Sequence, residues 1–171
     1  MINALDGATS FLEFGCGLST VFVSKHYDCN VRSIDTSSDW VARVKESVRD
    51  DIEVLLIDLG PVGEWGRPLT YDHMHQFRRY FEAGFDGEYS PNAILVDGRF
   101  RVACFLTSLL LSAPGTKIVI DDYPGRPHYH VVESILHPVF VSSRQALFER
   151  PEVLDETKVR LLRNQFSNVM D

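Results

Sequence analysis

Short apolar runs rich in β-branched residues recur along the chain at Ser10–Phe14, Val31–Ile34, Glu53–Ile57, Ala93–Val96 and Lys117–Ile120. Near-continuous apolar runs of this length read as strands buried on both faces, the habit of parallel sheets. Segments of helical character lie between and after them, at Ser19–His26, Asp39–Arg49, Asp72–Ala83, Arg101–Leu111 and His128–Leu136. Within the fourth, Ala103–Leu111 is apolar nearly all round, which suits a helix pressed against a sheet. After Pro138, Val139–Ser142 and Gln145–Glu149 predict a terminal hairpin, and Leu154–Ser167 a polar closing helix. Alternation of this kind predicts an α/β fold.

No repeat or low-complexity segment divides the 171 residues, and a chain of this length can bury a core of its own. Residues 1–171 therefore read as a single domain, with a core over about 10–150 and a helix or tail over 151–171. The connection 60–92 is long and Gly- and Pro-rich at its start. Connections of that length are commonly functional or mobile, and this one is expected to lie over the site.

The chemistry gathers at the strand ends. The five runs finish in Glu13-Phe14-Gly15, Asp35, Asp58, Asp97 and Asp121-Asp122. A parallel α/β sheet binds its ligand outside the carboxyl ends of its strands, near the switch point in strand order. An aspartate there can simply cap the next helix or open a turn. For all five together, a negatively lined ligand rim is the better account.

Glu13 to Thr20 reads as a strand entering a glycine loop and then a helix: Glu-Phe-Gly-Cys-Gly-Leu-Ser-Thr. Asp35, ending the next strand, is placed to accept hydrogen bonds from both hydroxyls of a ribose. Two ligand classes share this geometry. A dinucleotide fingerprint has a third glycine where this chain has Thr20, and Glu13 would repel a pyrophosphate. The same carboxylate suits the ammonium and sulfonium of S-adenosylmethionine, so charge favours the methyl donor over NAD.

Glu-x-Gly-x-Gly after the first strand, an acid ending the second and an Asp after the third resemble the class I S-adenosylmethionine-dependent methyltransferases. The strings Ile57–Gly66, Val96–Val102 and Asp121–Tyr123 resemble more narrowly a set of bacterial methyltransferase-like proteins of unknown substrate. The resemblance runs from about Ser10 to Glu149. It implies a Rossmann-like, doubly wound domain with helices on both faces of a seven-stranded, mostly parallel sheet of order 3-2-1-4-5-7-6. Only about ten residues precede the first strand, where the family often carries a helix, so a missing cover or a partner subunit is expected, with a homo-oligomer as one form of it.

By the same resemblance Glu13, Gly15, Cys16 and Gly17 would hold the methionine part of the donor, Asp35 and Thr36 the ribose, and Asp58 with Leu59 the adenine end. Asp97 would face the methyl-transfer side as the catalytic residue. In cation-dependent O-methyltransferases an Asp after strand four and an Asp-Asn pair after strand five hold a divalent metal. Asp97, Asp121 and Asp122 resemble that set, and three oxygen ligands suit Mg2+. Turn hydrogen bonds without metal are the alternative for Asp121 and Asp122. Arg67 or Arg99 would hold a carboxylate or phosphate on the acceptor, and Trp65 and Tyr71 would cover the adenine or acceptor pocket. The pairs His73/His75 and His128/His130 point apart on a helix and argue against a metal site.

Composition narrows the partners. The net charge of −7 repels phosphate backbones and anionic lipid surfaces, so neither nucleic acid nor membrane is expected, and a cationic ligand is favoured. Cys16, Cys29 and Cys104 have no disulfide or zinc spacing, and with no leader or membrane-length apolar run they indicate reduced thiols and a cytoplasmic protein. The expected activity is methyl transfer to a small molecule, at oxygen. A non-catalytic module binding the methyl donor or a nucleotide is the alternative, and an NAD-dependent enzyme the weaker one.

Overall fold

A computed structural model describes residues 1–171 apart from the Ile2 side chain. Its elements are α1 (Ile2–Leu5), β1 (Ser10–Phe14), α2 (Leu18–His26), β2 (Asn30–Asp35), α3 (Ser38–Lys45), β3 (Glu53–Leu56), α4 (Phe77–Glu82), β4 (Ala93–Val96), α5 (Arg101–Leu111), β5 (Lys117–Ile120), β6 (Phe140–Val141), β7 (Ala146–Glu149) and α6 (Glu156–Phe166). The strands form one seven-stranded sheet of order β3-β2-β1-β4-β5-β7-β6. The first five are parallel, and β7 runs antiparallel between β5 and β6. This is the Rossmann-like sheet that the sequence implied.

Every residue of the central strands β1 and β4 is buried. Successive side chains in a strand point to opposite faces, so the sheet divides two cores. Leu12, Phe14, Ile94 and Val96 face the layer of α4, α5 and α6, whereas Phe11, Ala93, Leu95 and Val119 face that of α1, α2 and α3. The same alternation sends Glu13 beneath α2, opposite Ser33 on β2. From Arg101 to Leu110, α5 is buried throughout, as its all-round apolar pattern predicts.

The closing helix expected over Leu154–Ser167 is α6, and it is docked rather than a loose tail: Val159 and Arg163 are buried and Val159 joins the core beside α5. Other expectations need correction. The continuous helix expected over Asp72–Ala83 is broken into a 3-10 turn (Met74–Gln76), α4 and a second 3-10 turn (Ala83–Phe85). Its Phe77, Tyr80 and Phe81 are core residues, so α4 packs into the core rather than over the site, while much of the 60–92 connection is exposed. Pro127–Ser134 is 3-10 rather than α-helical, in keeping with the paired β-branched Val131-Val132 and the aromatic residues there. Ahead of β1, α1 buries Ala4 and Leu5 on the face where no cover was expected.

Candidate functional site

Strand order reverses between β1 and β4, and the loops leaving these two strands meet there. Gly15 has φ +98°, and a Cβ on it would lie 2.6 Å from the Gly98 backbone. A Cβ on Gly98 would lie 2.8 Å from the Gly15 nitrogen and 2.2 Å from the Tyr80 hydroxyl oxygen. The crossing tolerates hydrogen only on both sides, with Tyr80 of α4 wedged below it. Gly17 differs: a Cβ there would meet no protein atom within 4 Å, and Gly17 borders a cavity.

That cavity, of about 860 Å3, opens along the carboxyl edge of β2, β1, β4 and β5. Small-molecule sites occupy about 300–1,000 Å3, so there is room for a nucleoside-sized donor and a small acceptor together. Its β2 side is bordered by Cys16, Gly17, Asp35, Trp40 and Trp65, and its β5 side by Asp97, Arg99, Asp121 and Asp122. Trp65, Phe100 and Asp122 are the non-glycine residues with positive φ among those described (58°, 55° and 56°). Two of them line the cavity and the third follows Arg99. Backbone held in this sparsely populated region clusters at functional sites.

Asp35 stands where the sequence placed it. Its Oδ1 accepts the Ser37 amide at 2.8 Å and its Oδ2 the Cys16 amide at 3.1 Å. A carboxylate offers about four acceptor positions, so about two remain for ligand hydroxyls. Burial raises its pKa, and the amide hydrogen bonds pull the other way.

Glu13 corrects the expectation of a direct ligand contact. It is fully buried, accepts hydrogen bonds from the hydroxyls of Ser19, Thr20 and Ser33, and props the glycine loop from behind. Thr20, at the third glycine position of the dinucleotide fingerprint, accepts the Gly17 amide at 2.9 Å. Burial, against those hydroxyl hydrogen bonds, pushes the Glu13 pKa from near 4.5 up to about 7. The fold thus takes up a proton between these two values, and stability falls as pH rises through that window. Asp97 and Asp35, also raised, act in the same direction. Urea unfolding at pH 5.5 and 7.5 is expected to show the protein less stable at the higher pH, with the difference reduced in Glu13→Gln. An unchanged difference would contradict this role of Glu13.

Several residues do not reach the cavity. Thr36 is buried and donates to the Gly66 carbonyl, tying down the hairpin 61–69 that carries Trp65. Asp58 is exposed and accepts the Gly60 amide, while Leu59 is a core residue. Arg67 is exposed and turned away, and so is Tyr71. The flat walls at the Asp35 end are Trp65 and Trp40, and Trp40 is one that sequence reasoning missed.

Asp97, Asp121 and Asp122 do converge, with oxygens within 4.8 Å of one another. Arginines already engage them. Arg101, buried, reaches Asp97 Oδ1 at 3.1 Å and Asp122 Oδ2 at 3.5 Å, and donates to the carbonyls of Asp97, Gly98 and Asp121. Arg144 grips Asp121 through both oxygens at 2.6–3.1 Å, joined by Gln145 at 2.7 Å. Arg126 adds a looser contact to Asp122 at 3.8 Å. Arg144 and Gln145 take up both oxygens of Asp121, and three guanidinium charges offset those of the three carboxylates, leaving no net negative charge to draw a divalent cation, so the set does not fit Mg2+. Asp97 has its pKa pushed up to about 6 by burial and by Asp121 beside it, against the pull of Arg101. Asp121 is held below its ordinary value, because the hydrogen bonds from Arg144 and Gln145 outweigh burial.

No protein-family model matches the sequence, and no curated protein matches it. Among solved structures, a methyltransferase-like protein from Silicibacter pomeroyi DSS-3 is 27% identical, with a TM-score of 0.85 over 97% of this chain and 91% of its own. The O-methyltransferase from Bacillus cereus, solved with S-adenosylhomocysteine, is 17% identical with a TM-score of 0.58 over 87% of this chain and 77% of its own. The N-methyltransferase NodS from Bradyrhizobium japonicum WM9, also solved with S-adenosylhomocysteine, is 16% identical with a TM-score of 0.58 over 87% and 82%. The last two show likeness of fold alone. The chain has the class I methyltransferase fold over nearly its whole length.

Proposed function

We propose that this chain, built on the class I methyltransferase fold, is an S-adenosylmethionine-dependent methyltransferase acting on a small molecule, at oxygen. One observation carries the reading: a single cavity joins the Gly15–Gly17 loop and the Asp35 carboxylate at one end to Asp97 at the other. Asp35 has acceptor capacity left for two ribose hydroxyls. Trp40 and Trp65 offer flat apolar walls to a purine. The open space beside Gly17, where a Cβ would meet no protein atom within 4 Å, admits the methionine part. The bound donor supplies an electrophilic methyl group.

The chain's own part is to place the acceptor oxygen in line with that methyl group and to take its proton. Asp97 is the residue for that step. It borders the cavity, and a pKa near 6 lets it be ionised at neutral pH yet basic enough to hold a proton. Arg101 at 3.1 Å fixes its carboxylate. No step requires a metal.

Formation of S-adenosylhomocysteine, measured across a panel of hydroxylated small molecules, tests the reading. With an identified acceptor, Asp97→Asn is expected to lower turnover by about 10²–10⁴-fold, and chelation to leave it unchanged. Undiminished turnover in Asp97→Asn, or its loss on chelation, would remove Asp97 as a metal-free base. Donor binding without turnover on any acceptor would favour a non-catalytic binding module.

A further inference from the structure

The cavity divides by charge. On its β1–β2 side, from the glycine loop to Trp65, no lining residue is cationic; its four arginines, Arg99, Arg101, Arg126 and Arg144, all lie on the β4–β5 side. Three of them have carboxylate partners in Asp97, Asp121 and Asp122. Arg99 has none among the described residues, and its Nε–H is buried without a hydrogen-bond partner. Its backbone is pinned, the amide donating to the Tyr80 hydroxyl at 3.3 Å and the carbonyl accepting from Cys104 Sγ at 3.3 Å. The unmatched guanidinium is therefore held beside the cavity, two residues along the chain from Asp97.

We infer that the methyl acceptor carries a carboxylate or phosphate group and that Arg99 receives it. This rests on the methyltransferase reading above. A guanidinium is a planar fork of donors that matches both groups in bidentate fashion. A neutral acceptor would leave the Arg99 charge on the cavity wall without a counter-ion. Since Arg101, Arg126 and Arg144 already serve the three aspartates, Arg99 is the guanidinium left for an anionic ligand on this side. Asp97, two residues away, then faces the part of the acceptor adjoining its anionic group.

The protein loaded with S-adenosylhomocysteine and titrated with inorganic phosphate or acetate tests this, with the Arg99 Nε–H resonance followed by NMR. A saturable shift is expected with phosphate if the acceptor is a phosphate ester, and with acetate if it is a carboxylate. Arg99→Gln is expected to weaken anion binding by about tenfold or more, Arg99→Lys to recover part of it, and both to keep S-adenosylhomocysteine affinity within about threefold of wild type. Absence of a saturable shift with both anions would overturn the proposal, as would unchanged anion binding in Arg99→Gln. Loss of S-adenosylhomocysteine affinity in Arg99→Gln would assign Arg99 to the donor's own carboxylate instead. Failure of the wild type to bind S-adenosylhomocysteine would overturn the methyltransferase reading, and titrating the donor-free protein with the two anions reads Arg99 separately.

Discussion

Gly98→Val is expected to destabilise the fold by more than about 3 kcal/mol and to abolish binding of the methyl donor. Even the first added carbon would lie 2.8–2.9 Å from Gly15 backbone atoms and 2.2 Å from the Tyr80 hydroxyl oxygen. Backbone on one side and a fully buried tyrosine on the other leave nothing flexible to yield. The β1 and β4 loops would have to separate, and with them the two halves of the cavity. Gly98→Ala separates folding from site geometry: it is expected to fold with a lowered melting temperature and to bind S-adenosylhomocysteine more weakly than wild type. Wild-type melting and affinity in both variants would contradict the close crossing of the two loops.

The second large effect is expected at Arg101. Its guanidinium is buried, donates to three backbone carbonyls and pairs with Asp97 and Asp122. Removing one member of such a buried network strands the others, at a cost of about 3–5 kcal/mol. Arg101→Met keeps much of the side chain's bulk and removes the charge, so urea unfolding reads the electrostatic part. The loss is expected to be larger at pH 8 than at pH 5, because the stranded carboxylates relieve their repulsion by taking up protons. A change of less than about 1 kcal/mol, or one independent of pH, would contradict the staple that Arg101 makes between the ends of β4 and β5.

Strands were the most legible part of the sequence because burial on both faces leaves an unbroken apolar run. Ser10–Phe14, Ala93–Val96 and Lys117–Ile120 match β1, β4 and β5 end for end. The convergence of acids was legible for the same reason, since parallel strands deliver their carboxyl ends to one edge. What each acid does there was not. Glu13 points beneath α2 because it follows Leu12 in a strict alternation, and only the packing of α2 shows that three hydroxyls await it. Asp121 and Asp122 resemble metal ligands in sequence, but Arg144, in the β6–β7 turn, and Arg101 stand beside them. A hint lay in the sequence, because Arg101 stands four residues after Asp97, within reach at the start of a helix. Gly98 and Trp40 gave less warning. A glycine after an aspartate reads as an ordinary turn, and the need for it arises from a second loop 83 residues away along the chain, at Gly15.

Titration calorimetry with S-adenosylhomocysteine and with NAD tests the central claim most directly. The account predicts a micromolar dissociation constant for S-adenosylhomocysteine, about −8 kcal/mol, with no measurable heat from NAD. In Asp35→Ala the affinity for S-adenosylhomocysteine should fall by about 1–3 kcal/mol as the ribose loses a charged acceptor. Tighter binding of NAD than of S-adenosylhomocysteine, or an Asp35→Ala variant with undiminished affinity, would contradict it.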